Sequence, residues 1–488
     1  MKSALMILLC LVAGISTVDA LAQISQFQHI IVVVQENRTP DNLFYVLCAI
    51  SPCSTTPDNT QYNVQTADWL DETSPTGVTQ PIAIPLANRY GVDHSHAGWK
   101  NQCDLNLVLN PPQCRMDGAA HTSKNRGSFG YVTNTQSAKY PNGNLSPYLA
   151  MATQYGWANF MFQTNQGPSF PAHQIIFGGT SAIDASDDAA GIFVSENVYG
   201  NAGCYAQDGD WFHSITADGK QTTVKVDYAA GVTECWTRIT MADVLNAAGV
   251  SWKYYSVKGG GEDHGSSIWT APNTSQMICV PDANHQNCTG SEWSENVDLN
   301  PADVLRDMGM KGKPCNLRGV SWVIPTGDNS DHGGANGGPD WVGSIVNALG
   351  NSLCKNTDGT SYWNTTAVVV TWDDWGGFYD HVPPPLLPYP QGGYQMGFRV
   401  PLVFVSAYTP VGYIDNLNYD FGSILRFIEN NFTLGEGILG FADSRATTDF
   451  STFYDPGSVP RQFGQITTVK SGLDFITDQT PPTDPDED

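Results

Sequence analysis

The chain has 488 residues, 41% of them hydrophobic, which is enough for a large core in one α/β unit or in two or three average domains. Its 48 acidic residues against 23 basic ones give a formal net charge of −25, a field of the wrong sign for nucleic acid or an anionic membrane surface. Phosphate chemistry survives that exclusion, because a bound cation reverses the field locally.

The N-terminus, MKSALMILLCLVAGISTVDALAQ, places Lys2 before an apolar run from Ala4 to Ile15 and a small-x-small site at Ala20-Leu21-Ala22. That order predicts a signal peptide over 1–22 and export of a chain starting near Gln23. The competing reading is a retained membrane anchor, for which the run is short. Beyond Cys10 ten cysteines remain, falling into near neighbours: Cys48/Cys53, Cys103/Cys114, Cys204/Cys235, Cys279/Cys288 and Cys315/Cys354. None has CxxC metal spacing, so disulfides in an oxidising compartment are the economical reading, with the connectivity left open.

The first strand signal is HIIVVV (29–34), which runs directly into Glu36 and Asn37. VDHSHAGW comes next with His94 and His96, an H-x-H pair without a third ligand nearby in sequence. In TNQGPSFPAHQIIFGGTS (164–181), Ser169 stands ahead of a predicted helix through Gln174 to Phe177. A hydroxyl on that turn is either an ordinary N-cap or a rigidly held nucleophile where backbone N–H groups favour anions. A Thr-x-x-Asp start predicts a helix over 240–249, and SWKYYSV (251–257) and VSWVIP (320–325) read as strands. NSDHGGANGG then places His332 in a polar loop before a helical pattern over 339–350. Next comes TAVVVTW (366–372), a strand ending in Asp373 and Asp374, then a strand at 400–406 and a helix at 420–432. The last stretch, from 471 to 488, is acidic and Pro-rich and predicts a disordered tail.

Strand runs without alternation suit a sheet buried on both faces, and their interleaving with helices predicts an α/β fold in one unit over 23–470. In such sheets ligands gather at the carboxyl ends of strands. Two strands ending in acidic or amide residues, Glu36-Asn37 and Asp373-Asp374, form an all-oxygen set suited to a hard divalent metal. His94 and His332 suit hydrogen bonding to a phosphoryl oxygen or proton donation to a leaving group.

Together these stretches resemble the phosphoesterase family of secreted acid phosphatases and bacterial phospholipases C, within the alkaline phosphatase-like superfamily. HIIVVVQENRTPDNLFY resembles its Glu-Asn-Arg-Ser-x-Asp-x-x-Phe signature, with Thr39 for the usual Ser. DHSHAGW with RMDG (115–118), GPSFPAHQIIFGGTS, SDHGG, VVVTWDDWGGFYDHVPPP and GFRVPLVFVS resemble further segments in family order, over about 27–432. The resemblance implies a central, largely parallel sheet with helices on both faces and long disulfide-pinned loops. It implies that Glu36, Asn37, Asp373 and Asp374 hold a divalent metal and that Ser169 is a nucleophile forming a phosphoserine. His94 and His332 would bind phosphate oxygens, with Asn37, or assist the leaving group. Two positions depart from the pattern: Ala172-His173 replaces the usual Asn after Pro171, and Asp374 replaces a frequent Glu. The implied substrate is a small phosphate monoester, with a phospholipase C-type diester as the alternative. Neither nucleic acid nor a stable membrane anchor is expected, and a non-catalytic binding protein on the same scaffold is a further reading. Ser169 lacks the G-x-S-x-G elbow of acyl hydrolases. Metal identity, metal count and oligomeric state stay open.

Overall fold

A computed structural model describes residues 26–482 apart from 90, 200, 217, 260–264 and 386–395. The expected signal peptide and residues 483–488 lie outside the described residues. Among the described residues, no helix is long and apolar enough to cross a membrane.

Eight strands form the central sheet: β1 (His29–Gln35), β2 (Gly156–Phe162), β3 (Trp252–Tyr255), β4 (Val297–Asp298), β5 (Val320–Val323), β6 (Thr366–Trp372), β7 (Leu402–Val405) and β8 (Tyr413–Asp420). Their order across the sheet is β4-β3-β5-β1-β6-β7-β2-β8. Every residue of β1 and β6 is buried, which is why both read as unbroken apolar runs. Burying each such Val or Ile contributes roughly 1.5–3 kcal/mol. The neighbours pair in parallel from β4 through β6, and β2 pairs in parallel with β8. β7 runs antiparallel to both β6 and β2, so it alone is reversed. The apolar run at 400–406 signalled a buried strand but carried no information on its direction.

β1 and β6 are adjacent with Gln35 opposite Trp372, so the residues after each strand emerge side by side. Because β7 is the reversed strand between β6 and β2, β2 points the same way as β6, and the chain leaving β2 emerges at that same end. There it enters α1 (Ser169–Gly178), buried along its whole length. Further helices are α2 (Met241–Ala247), with the expected Thr240–Asp243 capping box, α3 (Gly338–Gly350) and α4 (Phe421–Phe432). The expected tail is corrected at its start. Residues Gly472–Thr477 form α5, whose Phe475 ring packs 5.1 Å from Trp341 of α3. Two apolar residues in an acidic stretch, Phe475 and Ile476, are enough to dock one turn of helix. The ten cysteines form five bridges between sequence neighbours: Cys48–Cys53, Cys103–Cys114, Cys204–Cys235, Cys279–Cys288 and Cys315–Cys354.

Candidate active site

Three carboxylates meet where β1 and β6 end. Glu36, Asp373 and Asp374 are all 0% exposed. The Asn37 backbone N–H donates to Asp373 Oδ1 at 3.0 Å, and the Gly376 N–H donates to Asp374 Oδ1 at 2.6 Å. The two strand exits are also tied through their main chains, Asp373 N to Gln35 O at 2.9 Å and Arg38 N to Asp374 O at 3.0 Å. Asn37 reaches this position only with a left-handed φ of 63°, unusual for a residue with a Cβ.

Ser169 is the first residue of α1, and the N-cap is Pro168. The Ser169 hydroxyl therefore does not cap its helix; its Oγ lies 3.2 Å from Glu36 Oε2 and 3.2 Å from Asp374 Oδ2. One turn further along α1, His173 Nε2 lies 3.1 Å from Glu36 Oε1 and 4.0 Å from Asp373 Oδ2. In the sequence this residue stands out only as a departure from a family pattern. The signal for its role is the spacing of four between Ser169 and His173, which puts both on one helix face. A nitrogen thus faces the same cluster as the oxygens singled out from sequence.

Burial, and then the charge of Asp373, push the Glu36 carboxyl well above the usual carboxylate range. Asp374 is raised by the same two causes. Burial pushes the His173 imidazole down to about 4 against the opposing pull of Asp373. Three carboxyls this close and this dry carry protons or a cation. Asp373 Oδ2 and Asn37 Oδ1 are buried without a hydrogen-bond partner. Glu36, His173 and Asp373 each offer a ligand atom within 4.8 Å of the others, so the residues present fit a metal ion.

A cleft of 260 Å3 opens beside the cluster, lined by Asn37, Arg38, Arg89, His94, His332 and Gly376 among others. Asn37 and Gly376 thus belong both to the cleft wall and to the clamp on the two aspartates. The seven residues singled out from sequence fall into two groups. Glu36, Asn37, Ser169, Asp373 and Asp374 converge, whereas His94 and His332 sit on the cleft wall. The H-x-H pair does not converge: His94 Nδ1 lies 3.2 Å from the Val92 carbonyl and His96 Nδ1 2.8 Å from the Gln166 carbonyl. Asp331, also on the cleft wall, turns Oδ2 away to accept from Tyr148 Oη at 2.8 Å and Trp372 Nε1 at 2.9 Å.

The chain is similar to known proteins. A non-hemolytic phospholipase C of Pseudomonas aeruginosa is 25% identical over 455 residues, covering 84% of this chain and 54% of that protein. A non-hemolytic phospholipase C of Burkholderia pseudomallei is 30% identical over 235 residues, covering 40% of this chain and 32% of that protein. The chain spans about half or less of the length of these curated relatives. Among solved structures, a protein in the alkaline phosphatase superfamily from Vibrio parahaemolyticus aligns at a TM-score of 0.29 and 11% identity, covering 58% of this chain and 60% of that chain, too loose a match to bear on the fold. The model of the Phosphoesterase family matches residues 27–435, and the chain belongs to that family.

Proposed function

We propose that the protein is an exported, metal-dependent phosphoric ester hydrolase, acting on phosphate monoesters with Ser169 as the nucleophile. The observation that carries this reading is the Ser169 hydroxyl, held 3.2 Å from both Glu36 and Asp374 at the start of a buried helix. Those carboxylates are placed to take its proton as Oγ attacks phosphorus. The first-turn backbone N–H groups of α1 favour the anion that approaches. Glu36, Asp373, Asp374 and Asn37 would hold a divalent cation, which when bound lowers the hydroxyl pKa and offsets charge on the phosphoryl group. Asn37, His94 and His332 line the cleft where phosphate oxygens and leaving group would lie, and a protonated His donates to the departing oxygen. Export fits five disulfides in one chain.

A dianionic monoester suits the charge of the cleft. Its lining carries Arg89, His94 and His332 beside the buried Arg38, whose guanidinium donates to the Leu86 and Asp331 carbonyls, and its carboxylate, Asp331, is engaged with Tyr148 and Trp372. The second reading, a phospholipase C-type diesterase, is favoured by the names of the relatives. Turnover of a chromogenic phosphate monoester against a phosphorylcholine diester separates them, with monoester preference expected. Ser169→Ala should lower turnover at least about 10³-fold while cation binding persists. Near wild-type turnover in that variant would remove Ser169 from the mechanism.

A further inference from the structure

One side chain at the cluster has no part in the chemistry above. His173 is 1% exposed, its ring 6.4 Å from that of Trp269, and its Nε2 faces Glu36 and Asp373. Donor atoms that are neighbours around a divalent cation bound at about 2.1 Å stand about 3 Å apart, and opposed ones about 4.2 Å. His173 Nε2 stands 3.1 Å from Glu36 Oε1 and 4.0 Å from Asp373 Oδ2, on both of those spacings. The 3.2 Å separations of Ser169 Oγ from Glu36 and Asp374 fit the first. A hydrogen bond from Nε2 serves Glu36 alone and leaves Asp373 Oδ2 buried without a partner. A cation between the three atoms serves all of them.

We infer that His173 binds the cation directly through Nε2, making the centre a mixed nitrogen–oxygen site. This rests on the metal-dependent reading above and goes beyond it by setting the metal class. Imidazole suits transition ions such as Fe2+, Ni2+ and Zn2+, whereas Mg2+ and Ca2+ prefer oxygen alone.

The test uses the full chain, stripped by chelation and reloaded. Pulsed electron paramagnetic resonance of the Mn2+-loaded wild type should show a histidine 14N coupling. His173→Gln, at the same Mn2+ stoichiometry, should lack it. Calorimetry should find Co2+ binding at least about tenfold weaker in that variant, with Mg2+ binding within about threefold of wild type. His173→Asn serves as a second variant should the first not fold, and the wild-type spectrum needs no variant. A coupling absent from the wild type, or persisting in both variants, overturns the inference. So does an equal loss of Co2+ and Mg2+ affinity without a wild-type coupling, the mark of a residue that only orients Glu36. Wild type that binds none of these cations would bring down the metal-dependent reading itself.

Discussion

Asn37 and Gly376 approach each other so closely that a Cβ at 376 would lie 2.3 Å from the Asn37 carbonyl oxygen. Gly376 also has a φ of 64°, so an alanine there meets both a clash and a left-handed backbone. Gly376→Ala is expected to cost on the order of 3 kcal/mol and to lower turnover by displacing the donor to Asp374, read by denaturant melts and by kinetics. Unchanged values of both would show that the two loops are not packed as described. His96 gives a second prediction at this scale. Its Nδ1 meets the Gln166 carbonyl at 2.8 Å, and an acceptor there requires the proton on Nδ1. Burial pushes this imidazole from 6.5 down to about 4. The unfolded chain then binds more protons across that interval, so the fold is fully favoured above 6.5 and loses stability as pH falls toward 4. Relative to His96→Gln, the wild type should lose on the order of 3 kcal/mol over that range in unfolding experiments. Parallel pH courses for the two proteins would contradict it.

Between elements, the signature segments are joined by buried charge as well as by the site. Asp41, from the short helix Pro40–Leu43 after β1, accepts from the His381 backbone at 2.9 Å and its Nδ1 at 2.7 Å. Arg399, before β7, pairs with Asp380 through Nε at 2.8 Å and Nη2 at 2.9 Å, and donates to the Asn63 and Asn159 carbonyls. Thr39, standing where the family has Ser, keeps the hydroxyl function: its Oγ1 accepts from Asn42 N at 3.1 Å and donates to the Tyr379 carbonyl at 2.7 Å. Arg399, Asp380 and Asp41, whose Oδ1 lies 3.7 Å from the Arg399 guanidinium, are 0% exposed, so Arg399→Ala would strand buried carboxylates and cost about 3–5 kcal/mol. Chemical denaturation measures this directly, and a loss below about 1 kcal/mol, the range of solvent-exposed pairs, would mean that water reaches the pair.

For the whole molecule, a net charge of −25 opposes the approach of a phosphate ester from a distance, and the cationic cleft acts only nearby. Salt shortens the range of that repulsion, with the Debye length falling from about 30 Å at 10 mM to about 8 Å at 150 mM. For a dianionic monoester, kcat/KM should therefore rise several-fold over that range with kcat little changed. A fall would show that Arg38, Arg89 and the histidines govern approach as well as binding. The five disulfides, at sequence separations from 5 to 39, each pin a local loop and leave the long-range assembly to the apolar core.

Sequence alone determined much of this protein because its strongest signals are local. Unbroken β-branched runs at 29–34 and 366–372 suit strands in a covered sheet, and the polar residues after them lie together at one edge of it. Cysteine proximity along the chain likewise matched the five bridges. The helix start at Ser169 was legible, but its two readings were not separable, since both place a hydroxyl at the same turn. Tertiary structure excluded the cap, with Pro168 in that place and Oγ turned onto Glu36 and Asp374. It also decided the place of β2 and β8, whose mixed sequences, GWANFMF and YIDNLNYD, lack an unbroken apolar run. His173 belongs to the same category. A histidine four residues after a serine is common on any helix. Only the adjacency of β1 and β6 brings carboxylates from positions 36 and 373 against it, because contacts between distant segments are set by strand order, which no local pattern encodes.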